Sequence, residues 1–281
     1  MRSMFERAVD THAHIFPPAF PVPDGPGLKP APYEQVTRED YLAILRDHGV
    51  TQGVLVQPSG YGRDNSAMLD AMAHAGPLLR GIAMVAYDAT DAHLDELERR
   101  GVVGHRFNLY DLDPNELREP AAIRLLERLR ERGWYAEIHL DAPRLPAIAP
   151  ILEKHAGKLL FCHMGRPAIE RGVAEPGFAR FLEFGRTGQA VVKLTGAIRF
   201  SKRAFPFEDV DPYLAAIFDA YGTSGCIWGS DWPFIALQQR ITYDQAVAWF
   251  ERAVSDDRDR RTILWENPQR LFGFSTQGGS R

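Results

Sequence analysis

The stretch VVGHRFNLYDLDPNELREPAAIRLLERLRERGWYAEIHLD (102–141) holds the repeating unit of the fold. It opens with an apolar run, VVGHRFNL (102–109). A segment of helical spacing follows, ELREPAAIRLLERLRE (116–131), with Ile123, Leu126 and Leu129 on one stripe. Gly133 punctuates its end, and a second apolar run, YAEIHLD (135–141), begins almost at once. Two short apolar runs joined by one helix read as parallel strands with a crossover, since parallel neighbours cannot be joined by a tight turn.

The same alternation extends in both directions. Upstream runs are AVDTHAHI (8–15), GVLVQPS (53–59) and RGIAMVAY (80–87); downstream ones are KLLFCHMG (158–165), AVVKLTG (190–196) and CIWGSDW (226–232). Near-continuous apolar runs suit strands covered on both faces. Residues 38–47 have helical spacing, with Thr37 as N-cap. So do residues 65–75, which follow Asp64, and residues 242–253 and 257–265. Eight strand segments, seven followed directly by a helical one, predict an α/β chain built as a (β/α)₈ TIM barrel. The 281 residues suit that architecture, which typically takes about 250. No Gly-rich dinucleotide fingerprint follows the first strand, and no linker divides the chain, so residues 1–281 are expected to form a single domain. Seven prolines between 17 and 32 predict a long loop after the first strand, taken as an active-site loop over 17–36. The tail STQGGSR (275–281) is expected to fray.

Composition narrows the function. Hydrophobic residues make up 45% of the chain and the formal net charge is −4. There is no basic field of the kind that meets nucleic acid or a membrane surface, and no apolar window approaches the ~20 residues of a membrane span. The N-terminus lacks the apolar core of a signal peptide. The two cysteines, Cys162 and Cys226, lie inside apolar runs and read as buried thiols. A cytoplasmic protein is expected.

Polar residues then mark one end of the barrel. Strand one ends in His12 and His14, strand two in Gln57 and Ser59, strand four in His105, Arg106 and Asn108. Strand five carries Glu137, His139 and Asp141; strand six ends in His163 and strand eight in Asp231. Active sites of this fold sit at the C-terminal strand ends. Period-two geometry places His12 and His14 on one face, with Asp10 below them. His12, His14, His139, His163 and Asp231 can therefore converge on the axis. Such a set can hold one divalent ion, most commonly Zn²⁺, or polarise a carbonyl and activate water without a metal. Arg106 and Arg199 fall at or just past strand ends, where guanidinium forks suit carboxylates. For Arg106 the alternative is an internal ion pair, for instance with Glu137. His48, His74, His93 and His155 lie on helical segments and read as surface or helix-end residues.

With these residues in place, DTHAHIF, VQPSGYGRDN, GHRFN, CHMGRP, WGSDWPF and NPQRLFGF together resemble the amidohydrolase superfamily, from about residue 8 to 274. The branch they resemble contains 2-pyrone-4,6-dicarboxylate lactonase and related sugar and muconolactone-type lactonases. The resemblance implies a distorted barrel that hydrolyses a small, carboxylate-bearing lactone. It implies Asp231 as the base that takes a proton from water, with His12, His14 and His163 holding the carbonyl. Arg106 and Arg199 match carboxylate-binding positions, and Ser59 and Tyr33 match contacts near the substrate. Two departures stand out. Leu112 replaces a further arginine of the dicarboxylate lactonase. His139 replaces a tyrosine, and would complete the ligand set of metal-dependent members. Arg106 occupies the strand-four region where binuclear members carry a bridging group, so at most one metal is expected. The alternatives are a mononuclear-zinc sugar-acid lactonase, a zinc-dependent decarboxylase of the same superfamily and, in a different class, a non-catalytic small-molecule binding protein.

Overall fold

The structure is a computed structural model, and it describes residues 7–23, 35–235, 237 and 240–274. Tyr33, most of the proline-rich loop and the 275–281 tail lie outside the described residues. Eight parallel strands follow one another around the sheet in chain order. They are β1 (Val9–Ala13), β2 (Gln52–Val56), β3 (Leu79–Ala83), β4 (Val102–Asn108), β5 (Tyr135–His139), β6 (Lys158–Phe161), β7 (Ala190–Leu194) and β8 (Cys226–Trp228). Every apolar run of the sequence coincides with one of them, β2 and β3 starting one residue ahead of their runs. The strands are shorter than the runs because the last residues of each run leave the ladder and turn toward the site.

Closure between β8 and β1 is made largely by residues past the end of β8. Ala13 bridges Trp232, Asp231 N–H donates to the His12 carbonyl at 2.8 Å, and His14 N–H donates to the Trp232 carbonyl at 2.8 Å. The barrel is thus nearly closed, and its seam carries three of the predicted site residues.

The helices lie between the strands and cover the sheet. α1 (Arg38–Asp47) starts at Thr37 with a full capping box to Asp40 and buries Tyr41 and Leu45. It is followed by α2 (Ser66–Ala75), α3 (Asp91–Arg99), α4 (Pro120–Arg132), α5 (Ala149–His155), α6 (Pro176–Arg186), α7 (Asp211–Tyr221) and α8 (Tyr243–Ala253). The single helix expected over 116–131 is divided. A 3₁₀ turn spans Pro114–Arg118, Glu119 is extended at ψ 134°, and α4 begins at Pro120. Pro120 lacks the N–H that a continuous helix needs, and it disfavours helical backbone at the residue before it. The segment expected over 257–265 is likewise α9 (Asp257–Arg261), a π-turn over Thr262–Glu266 and α10 (Asn267–Phe272).

One local feature of β1 corrects the period-two reading. Asp10 pairs with Gly53 and Ala13 with Leu55, so three steps on β1 oppose two on β2. This extra residue flips the side-chain parity. His12 and His14 face the barrel interior, whereas Asp10 does not lie below them on that face. Asp10 turns to the helix layer, where it accepts from Ser230 N–H at 2.8 Å, Ser230 Oγ at 2.6 Å and the Tyr243 hydroxyl at 3.3 Å. It ties β1 to the residue before Asp231.

The interior is layered. Val9, Val54, Ile82, Leu160 and Ile227 form an apolar floor that packs with Phe272 and Phe274. Above it lie Arg106, Glu137 and Lys193, all buried. The imidazoles sit above these, beneath an opening at the C-terminal strand ends. Among the described residues, no helix is long and apolar enough to cross a membrane.

Candidate active site

Four buried imidazoles run in a chain across the top of the barrel. Ring centroids are 5.0 Å apart for His14–His12, 4.9 Å for His12–His163 and 5.2 Å for His163–His139. Asp231 lies against two of them: its Oδ1 is 3.8 Å from His12 Nε2 and 3.8 Å from His14 Nε2. These gaps are too long for direct hydrogen bonds and leave room for a shared oxygen atom. Asp231 Oδ1 and His12 Nε2 have no hydrogen-bond partner among the described residues. Buried polar atoms without partners are uncommon, and here they point at one another across a gap.

The backbone is bent to achieve this. His163 has φ 49° and Asp231 φ 68°, left-handed values that ordinary residues adopt at a cost of about 1–3 kcal/mol each. Gly196, at φ 67°, lets β7's exit loop pass against His163; a Cβ there would lie 2.5 Å from His163 Nδ1.

A cavity of about 140 Å³ opens above the cluster, lined by His14, Ser59, Arg106, His139, His163 and Arg199, among others. Arg166, just past strand six in CHMGRP, also lines it, as do Tyr110 and Asp111, which were not singled out as site residues from the sequence. Arg166 stacks over the Tyr110 ring at 4.1 Å and donates from Nε to Asp141 at 2.8 Å. A larger cavity of about 690 Å³ lies at the opposite end, bordered by Arg80, Arg132 and Trp134. Two of its arginines are already committed: Arg132 to Asp91, Asp95 and Glu98, and Arg80 to main-chain carbonyls. No cluster like that of the upper site converges there among the described residues.

The two predicted arginines differ. Arg199 donates from Nε to Asp231 Oδ2 and from Nη1 to the Ile235 carbonyl at 3.2 Å. It orients the carboxylate and leaves Oδ1 facing the imidazoles. Arg106 donates from Nη2 to His139 Nδ1 at 2.8 Å, while its Nε and Nη1 lack hydrogen-bond partners among the described residues. The ion pair anticipated with Glu137 is long, at 4.0 Å, because Glu137 is taken by Lys193 Nζ at 2.6 Å. Lys193 is fully buried on β7 and escaped the sequence reading. Ser59 Oγ accepts from Asn108 at the cavity edge. Gln57 and His105 have structural duties, bonding the Gly62 and Asp64 carbonyls and the Val85 N–H. Of the helical histidines, His74 and His93 are exposed, and His48 and His155 pair with Asp244 and Glu127. Cys162 and Cys226 are buried and free.

Burial is the main cause that holds His12, His14, His139 and His163 well below the ordinary imidazole range. Neighbouring cations, above all Lys193 for His12, Arg106 for His14 and His139, and Arg199 for His163, add to it. His105 is lowered to about 3, again by burial. These rings are neutral at pH 7. The consequence for stability has a definite sign. Below pH ~6.5 the unfolded chain binds protons that the folded one refuses, so stability is full above that pH and falls as pH drops. Each ring contributes up to about 1.4 kcal/mol per pH unit. The melting temperature is expected to be level from pH 8 to 7 and to fall steeply from 6.5 to 5. A flat profile over the lower range would show that the rings are not held neutral.

As metal donors, His12, His14 and Asp231 converge: one ligand atom from each lies within 4.8 Å of the others. His139 and His163, also predicted as ligands, do not join that group. Hydrogen-bond polarity divides the three. His14 Nδ1 lies 2.7 Å from the Val56 carbonyl, which can only accept, so His14 Nε2 carries a lone pair. His12 Nδ1 faces Lys193 Nζ at 3.2 Å, a donor. A metal-bound imidazole places its other N–H against an acceptor. His14 satisfies that rule and His12 does not.

The Amidohydrolase family model matches residues 9–274. The 2-pyrone-4,6-dicarboxylate hydrolase of Comamonas testosteroni is 32% identical over 94% of this chain and 90% of its own length. The 4-sulfomuconolactone hydrolase of Hydrogenophaga intermedia is 30% identical over 96% of this chain and 89% of its own. Among solved structures, the "probable 2-pyrone-4,6-dicarboxylic acid hydrolase" of Acinetobacter baumannii, with citric acid bound, superimposes with a TM-score of 0.87. It is 32% identical, covering 95% of this chain and 99% of that one.

Proposed function

Because the chain belongs to the amidohydrolase family, we propose that its cavity opens a small anionic lactone by attack of water on the ring carbonyl. It is a lactone hydrolase, acting on an ester bond. The relatives named for pyrone-dicarboxylate and sulfomuconolactone both take anionic rings by name. The observation in this chain that carries the anionic substrate is Arg106. It is 4% exposed and lines the cavity, yet its Nε and Nη1 lack hydrogen-bond partners among the described residues. Burying a cation with so little compensation costs several kcal/mol. A substrate carboxylate or sulfonate offers the missing acceptors.

The chemistry follows from the cluster. Water held against Asp231 Oδ1 gives up a proton to that carboxylate as its oxygen bonds the lactone carbonyl carbon. Charge moves to the carbonyl oxygen, which sits against His12 and His163, while His14, whose Nε2 carries a lone pair, faces the water. The tetrahedral species collapses, the ring C–O bond breaks, and the leaving oxygen takes the proton back from Asp231. The product is a ring-opened acid that releases one proton at neutral pH. Arg199 holds Asp231 in place throughout, and Ser59 and His139 line the substrate's side of the cavity.

The competing reading is a mononuclear zinc centre on His12, His14 and Asp231. Convergence of the three donor atoms favours it, and Lys193 on the far side of His12 opposes it. An ion there would supply Lewis-acid polarisation of the carbonyl.

Initial rates of acid release should be measured on carboxylated, sulfonated and neutral sugar lactones, with and without a strong chelator. We expect the anionic lactones to be favoured and the chelator to leave the rate unchanged. Preference for neutral sugar lactones would overturn the anionic reading. Loss of activity on chelation, restored by zinc, would establish the metal reading.

A further inference from the structure

His12 and His14 present the same atom, Nε2, to Asp231 Oδ1 at the same distance, 3.8 Å. Their other ring nitrogens meet opposite partners. The Val56 carbonyl beside His14 Nδ1 accepts only. The Lys193 ammonium beside His12 Nδ1 donates only. The geometry points to Lys193, held by Glu137, as a positioning residue that fixes His12 in the tautomer carrying its proton on Nε2. His14 is fixed in the other. The two histidines then differ in role: His12 donates to the reacting carbonyl oxygen, while His14 joins Asp231 in accepting from the attacking water.

The supports of Lys193 show that it is built for this. Its Nζ has three partners: the Thr11 carbonyl at 2.7 Å, Glu137 Oε2 at 2.6 Å and His12 Nδ1 at 3.2 Å. They come from β1 and β5, neither of which adjoins β7 in the sheet. Three donors meet three acceptors, so no proton is left to reverse the polarity at His12. Lys193 and Glu137 are both 0% exposed. A fully buried ion pair is weak evidence of stabilisation, since well-packed apolar residues of similar volume often do as well or better. Its selective value here is the fixed direction of one hydrogen bond. Cys162 and Glu137 could form a second donor set with His12, but the Lys193 ammonium already bridges Glu137 and His12.

This assignment rests on the lactone-hydrolase reading for its catalytic meaning, and it can be tested apart from that reading. Nitrogen NMR of the ¹⁵N-histidine-labelled wild-type protein reads each ring's tautomer, with His12 assigned by loss of its signals in His12→Asn and His14 by loss of its signals in His14→Asn. The expected result is a protonated Nε2 on His12 and a protonated Nδ1 on His14. A protonated Nδ1 on His12 overturns the proposal. The kinetic arm uses Lys193→Met combined with Glu137→Gln, which removes both charges together. It should lower kcat by about a hundredfold, the effect of losing one oriented oxyanion donor, with KM changed little and His12 shifted toward the Nδ1-protonated form. A folded double variant with wild-type kcat also overturns the proposal. If the double variant does not fold, the wild-type tautomer decides alone. Opposite tautomers in a protein that hydrolyses no lactone would sink the functional reading and leave the assignment standing.

Discussion

Replacing Asp231 with Asn lowers kcat/KM on the best lactone substrate by about a thousandfold while the protein stays folded. A positioned general base contributes roughly 10²–10⁴ in rate, and among the described residues Asp231 is the one carboxylate whose free oxygen faces both His12 and His14. The substitution keeps shape and volume. An amide can place its oxygen toward Arg199, so the clamp from Arg199 Nε survives. The main-chain bonds from Asp231 and Trp232 that close the barrel also survive, since they use backbone atoms alone. The melting temperature should therefore move little, and the loss should fall on kcat more than on KM. Near-wild-type turnover in Asp231→Asn would remove the base from the account.

Arg106→Met should raise KM for an anionic lactone by roughly a hundredfold or more, with a much smaller effect on a neutral sugar lactone. Truncating one side of a buried charge pair costs about 2–5 kcal/mol, and tenfold in affinity is about 1.4 kcal/mol. Glu137 is not orphaned by the change, because Lys193 remains bonded to it. The change also releases His139 Nδ1 from its donor, which adds a modest loss of orientation. Arg106→Lys keeps the charge and loses the planar fork, and an intermediate KM is expected. Equal losses on anionic and neutral lactones would show that Arg106 holds the site together rather than the substrate.

The barrel was legible because its signal is repetitive. Each apolar run had the length of a covered strand, and polar residues at the end of one run after another could not all be accidents of a core. That pattern picked out His12, His14, His163 and Asp231, which the structure brings together. What the sequence hid depends on contacts between distant strands or on single-residue irregularities. Lys193 stands in AVVKLTG as one polar letter in an apolar run, and nothing in that run announces a carboxylate on β5. The sequence did offer Glu137 as a partner, but for Arg106; the shorter contact goes to Lys193. The extra residue in β1 leaves no trace in DTHAHIF, because His12 and His14 alternate in the same way whichever side Asp10 takes. Arg199 was read as a substrate anchor. In the structure its Nε is committed to Asp231, which is why the proposed anion anchor is Arg106. Tyr110 and Asp111 became visible only once their loop met the cavity.

The central claim is that water attacks a lactone carbonyl at the Asp231–imidazole cluster. The most direct test is turnover of a carboxylate-bearing lactone in water enriched in the heavy oxygen isotope, followed by mass analysis of the ring-opened product. The account predicts one labelled oxygen in the newly formed carboxylate, none in the released hydroxyl or enol oxygen, and one proton per turnover. Release of carbon dioxide, or label in the leaving oxygen, would contradict it.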